Sequence, residues 1–199
     1  MLAIFKREFK SYFQNVIGWL FVAALLAVYG LYFYVYNLKN GYPYISYDLK
    51  GIGFIMMIAV PILTMRSLSD EKKTKTDQLM LTSPVSVGRI VAGKYFAMAA
   101  VYTIDLALFA LSPLVLSIYG KVALSEAYVA LFGYWLYGLS CIAVGLFISS
   151  ISESVIISAI LTFAALFLSY MMQSITGLIS SSGNLLTKVL NCFDLYTPF

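Results

Sequence analysis

The sequence predicts an all-α fold, a polytopic transmembrane helix bundle, and three observations lead to it. Of the 199 residues 61% are hydrophobic and only 11% are charged, with mean hydropathy +0.88, whereas an average soluble domain is roughly a quarter charged. The apolar residues fall in long unbroken runs, without the alternation that a transmembrane barrel requires. A bilayer core about 30 Å thick takes roughly 20 residues per helix, which leaves room for five or six spans and no separate soluble domain.

In residues 1–14, Leu2, Phe5, Phe9, Tyr12 and Phe13 recur at helical spacing opposite Lys6, Arg7, Lys10 and Gln14. That is the pattern of a helix lying in the membrane interface. Residues 16–36 make a full first span ending in bulky aromatics. A signal peptide has a shorter apolar core and a small-residue cleavage site, so this span is expected to be retained. Tyr29, Tyr32, Tyr34 and Tyr36, with Tyr42, Tyr44 and Tyr47 beyond, are expected to form an aromatic belt at the far surface. A short loop with Gly41 and Pro43 leads to span two, residues 49–66. Pro61 is expected to bend it, and Arg66 to snorkel to the interface.

Span three covers residues 95–119, where Pro113 should bend the helix and free a carbonyl for Ser112 or another helix. Span four covers residues 127–148 and span five residues 155–179, joined by a link too short to be a domain. Cys141, Gly145 and Ser149, and likewise Ser154, Ser158 and Thr162, recur every four residues as small ridges suited to close helix packing. Residues 180–199 form an outer-side tail that stops abruptly, so a sixth span is expected to be missing from this chain.

Between spans two and three lies one polar segment, residues 66–94, with six of the thirteen basic residues. Ser67 followed by Asp70 fits a weak capping box, and Leu79, Met80 and Leu81 gather apolar surface beside Lys72, Lys73 and Lys75. Ser83-Pro84 should stop that short helix, and a new one should start near Ser86. With the N-terminus inside, nine basic residues face the cytoplasm, against Lys39, Lys50, Lys121 and Lys188 outside, so an N-in orientation is expected. A solvated basic loop obeying that charge bias is the plain reading. A docking segment for a soluble partner is the functional one.

Enzymatic chemistry finds no footing. There is no histidine, so the usual general base is absent, and no nucleophile or paired-carboxylate arrangement appears. Cys141 lies in an apolar run and Cys192 in the tail, with no metal-ligand spacing. No metal, cofactor or nucleic-acid partner is expected. The stretch from Gly88 to Lys94 matches most of a phosphate-binding loop, but Tyr95 stands where the magnesium-holding hydroxyl belongs and no buried strand precedes it. Asp105 falls near the middle of span three, where a carboxylate costs at least about 2.5–3.5 kcal/mol on insertion scales. It could contact a substrate pathway, carry a proton, or hydrogen-bond structurally to Tyr102, Thr103 or a neighbouring span.

The residues from Glu71 to Ser86 read EKKTKTDQLMLTSPVS and continue to Ile90, Gly93 and Lys94. This segment, after an interfacial helix and two spans, resembles the ABC-2 exporter-type permease family, which includes gliding-motility-type and drug or sodium exporter-like permeases. The resemblance rests on Glu71, Lys72, Thr76, Leu79, Leu81, Ser83, Pro84, Val85, Ser86, Gly93 and Lys94. Lys75 departs from it where glycine is common, Asp77 where glutamate is common and Met80 where leucine is common.

The resemblance implies a permease without catalysis of its own, in a bacterial cytoplasmic membrane. It implies a second permease copy or homologue as partner and a separately encoded ABC ATPase subunit. Glu71, Lys72, Thr76, Asp77, Leu79, Met80 and Leu81 would then form the contact with that motor. In the family a sixth span follows a re-entrant outer segment. Two other readings compete. One is a non-transporting integral membrane protein whose basic loop recruits a soluble partner or anionic lipid. The other is a secondary transporter using Asp105, against which stand the lack of an internal repeat and the single midplane acid.

Overall fold

The structure, a computed structural model, describes residues 2–42, 44–73, 86–119 and 122–179. Among these there is no strand. The helices are α1 (Leu2–Gln14), α2 (Val16–Tyr32), α3 (Ser46–Thr64), α4 (Ser69–Lys73), α5 (Val87–Phe109), α6 (Ser112–Tyr119), α7 (Leu124–Ile151) and α8 (Val155–Ile179). Among the described residues four stretches are long and apolar enough to cross a bilayer: Val16–Lys39, Ser46–Thr64, Val87–Ile118 and Leu124–Ile151. The apolar α8 packs on α3 and α7. Large apolar side chains face outward, with Ile118 78% and Ile156 71% exposed. Such a surface suits a helix bundle in lipid, since each helix satisfies its own backbone groups.

The polar face of α1 keeps Lys6, Arg7, Lys10 and Gln14 exposed, while Phe9, Tyr12 and Phe13 pack toward the core. Extended backbone at Asn15 separates α1 from α2. The Trp19 indole N–H donates to the Phe13 carbonyl at 2.8 Å, satisfying an acceptor that the end of α1 leaves open.

Beyond Tyr32 the first span winds as a π-helix over Phe33–Lys39, an uncommon form frequent at functional sites. Tyr29 does not join the expected belt. It is buried, its ring stacks on Phe109 at 4.0 Å, and its hydroxyl bonds Ser112. Tyr34, Tyr42, Tyr44 and Tyr47 are the exposed rings.

The central helix is α3, most of which is buried, with α2, α7 and α8 against it. It runs through Pro61 to Thr64, and the Met65 N–H closes the last turn on the Pro61 carbonyl at 2.9 Å.

α5 begins at Val87, directly after Ser86 as expected, and so reaches two turns ahead of span three, with Ile90, Gly93 and Lys94 packed inward. It breaks at Ala110–Leu111. Proline has no N–H, so Pro113 cannot bond the Phe109 carbonyl four residues back. The Ser112 hydroxyl donates to that carbonyl instead, at 2.7 Å. α7 exceeds the expected fourth span at both ends, and the observed second span starts earlier, at Ser46.

Candidate functional site

The polar groups concentrate where α3 gives way to α4. The chain turns over Met65–Leu68, and its carbonyl and N–H groups need partners there. Ser149, near the end of α7, supplies one hydroxyl oxygen that accepts from the Leu68 and Ser69 N–H groups, each at 3.2 Å. The Lys72 ammonium donates to the Ser150 carbonyl. An ammonium is favoured there because the last carbonyls of a helix lack partners and carry partial negative charge.

From the other side comes Lys94 of α5. It is 2% exposed, and its ammonium donates to the Ser67 carbonyl at 2.9 Å and faces the Glu8 carboxylate of α1 at 3.3 Å. Glu8 in turn meets the Arg7 guanidinium at 2.8 Å. One residue earlier, a Cβ on Gly93 would stand 3.0 Å from Ile4 Cγ2, so glycine lets α1 lie close against α5 and brings Glu8 within reach. The polar segment is therefore tied at its base to α1, α5 and α7. The expected capping box does not form. The buried Ser67 hydroxyl has no partner among the described residues, and it is the Ser67 carbonyl that is used.

This arrangement explains the phosphate-loop lookalike. Gly88 to Lys94 lie within the helix α5, with Lys94 turned onto Glu8 and Ser67 rather than toward a ligand. Of the residues expected to contact a motor, Lys72 is placed with its side chain and Glu71 by its backbone. Thr76, Asp77, Leu79, Met80 and Leu81 lie outside the described residues, as do residues 180–199 with Cys192.

Asp105 stands apart from this cluster, eleven residues beyond Lys94 in α5, or about 16 Å along a helix rising 1.5 Å per residue. It is fully buried, and neither carboxylate oxygen has a hydrogen-bond partner among the described residues. The structural bonds expected to Tyr102 or Thr103 are not made. The Tyr102 hydroxyl donates to the Tyr134 carbonyl at 2.6 Å, while Thr103 donates to Ala99 and accepts from the Trp135 indole.

A second buried acid had no forecast. Asp48, in the first turn of α3, is fully buried and accepts from the Asn37 amide on the π-helical stretch. Asp48 Oδ1 and Asn37 Oδ1 have no partner among the described residues. Asp48 stands at the start of its helix, whereas Asp105 lies well inside α5, so the two buried acids occupy different levels of their helices. Asp48 was legible as an acid at the lip of an apolar run, but its burial depends on the π-helical turn that brings Asn37 to it. Among the described residues no three metal-ligating side chains come together.

Comparison with curated proteins and with solved structures gives no match. A family model described as ABC-2 family transporter protein matches residues 30–199. That span covers most of the chain, including α3, α5, α7 and α8 and the polar segment between α3 and α5. The chain therefore belongs to the ABC-2 transporter family, as a membrane-embedded permease of that type.

Proposed function

We propose that this chain is the permease subunit of an ABC-type exporter, which passes the work of ATP hydrolysis from a separate ATPase subunit to substrate movement across the membrane. The N-terminus faces the cytoplasm, and the chain pairs with a second copy or a homologue. Glu71, Lys72, Thr76, Asp77, Leu79, Met80 and Leu81 form the motor contact, with the apolar residues as anchors and the lysines steering docking.

The observation that carries this reading is the fastening of the polar segment's base. A displacement at residues 66–73 pulls on α1 and α5 through Lys94 and on α7 through Ser149 and Ser150. ATP acts by binding one arrangement of the complex more tightly than the other, since a ligand shifts an equilibrium only by its differential affinity. Asp105 provides a polar contact in the path that the spans open, which accounts for a buried carboxylate without a hydrogen-bond partner among the described residues.

Co-purification with ABC ATPases, followed by an ATPase assay in lipid with and without the chain, tests the reading. The intact chain retains the ATPase and alters its rate, and Leu79→Asp with Leu81→Asp abolishes retention. Binding unchanged by that double substitution would refute the motor contact.

A further inference from the structure

Between α1, the α1–α2 junction and the Arg66–Asp70 turn lies a groove of about 620 Å³. Four basic side chains line it, Arg7, Lys10, Arg66 and Lys94, against two acidic ones, Glu8 and Asp70. The acids are engaged: Glu8 is held by Lys94 and Arg7, and Asp70 stands 4.0 Å from Arg66. Lys10 is exposed and has no acid within ion-pair distance among the described residues. The Arg66 side chain is 54% exposed, and a long exposed pair such as Arg66–Asp70 leaves its cation open to a stronger anion. The groove thus carries an excess of positive charge at the level of an interfacial helix.

We propose that this groove binds the headgroup of an anionic phospholipid, with an acyl chain lying along the start of α2. The apolar continuation favours a lipid over a soluble phosphate. Ile17 lines the groove, and Val16 and Leu20 beside it are 76% and 49% exposed. Basic pockets between spans near the membrane surface recognise such headgroups by charge and hydrogen bonding. The headgroup would bridge Lys10 of α1 to Arg66 at the base of the polar segment, so lipid composition would bear on the same joint that Lys94 fastens. Assigning that lipid to the inner leaflet rests on the orientation proposed above, whereas the binding itself does not.

The test is lipid retention by the purified full chain in detergent, with phosphatidylglycerol and phosphatidylethanolamine as probes and native mass spectrometry as readout. This count needs neither an ATPase nor a defined orientation, so its failure is separate from failure of the motor contact. The expected result is preferential retention of phosphatidylglycerol, reduced about fivefold for each charge removed in Lys10→Gln with Arg66→Gln. The Lys10→Arg with Arg66→Lys variant keeps it, as does a control of equal charge loss elsewhere, Lys39→Gln with Arg89→Gln. Equal loss in control and groove variants, no loss in either, or displacement of the lipid by inorganic phosphate at matched concentration overturns the proposal.

Discussion

The Lys94 ammonium, 2% exposed, lies 3.3 Å from the Glu8 carboxylate and joins α5 to α1 at the base of the polar segment. Breaking a buried ion pair by removing one partner typically costs about 3–5 kcal/mol. Arg7 remains beside Glu8 and Glu8 is itself partly exposed, so Lys94→Met should cost less, about 2 kcal/mol. Thermal unfolding of the full chain in detergent, run as a double-mutant cycle with Glu8→Gln, measures this. A coupling energy near zero would show that the two side chains do not act together.

Ser149→Ala removes the acceptor shared by the Leu68 and Ser69 N–H groups. Leaving such groups without a partner costs about 1–3 kcal/mol. The variant should retain a bound ATPase, because the motor contact proposed above is untouched, yet lose most of the change in ATPase rate. Full loss of ATPase retention would place Ser149 in the docking surface instead of the linkage.

Asp105→Leu should leave the chain at least as stable in detergent, and more stable by about 1 kcal/mol, because an apolar group of similar volume does not carry the desolvation cost of a buried carboxyl that has no hydrogen-bond partner among the described residues. Transport driven by a bound ATPase should nevertheless fall sharply. Asp105→Asn separates the roles: a proton carrier loses the pH dependence of transport, while a polar pathway contact keeps it. Intact transport in both variants would leave Asp105 without a functional part.

Gly138 of α7 faces the Tyr102 ring, and a Cβ there would overlap the ring and its hydroxyl. Overpacking of this kind costs about 1–3 kcal/mol, so Gly138→Ala should lower the unfolding midpoint. Tyr102→Leu in the same chain should recover part of the loss, because contacting positions are not additive. Independent effects of the two changes would mean that α5 and α7 can shift apart.

The bundle was legible from composition and run length, because a span must be apolar over a length set by the bilayer. So was the break near Pro113, since a missing N–H is a local property. The polar segment could be located from its charges, and Gly93 and Lys94 could be matched to a family pattern, but what those two residues touch could not be read.

That limit shows in three places. Lys94 looked like the end of a phosphate loop and is buried against Glu8, 86 residues away in the chain. Tyr29 had the composition of a membrane belt and bonds Ser112, because one helix face is turned inward by its neighbours. Asp48 falls just ahead of the expected second span and is buried with Asn37, through π-helical winding that no residue pattern announces. Local chemistry and the thickness of the bilayer set which segments span and where the breaks fall. Which polar groups end up sharing a buried joint depends on distances between helices, and those exist only once the bundle has packed.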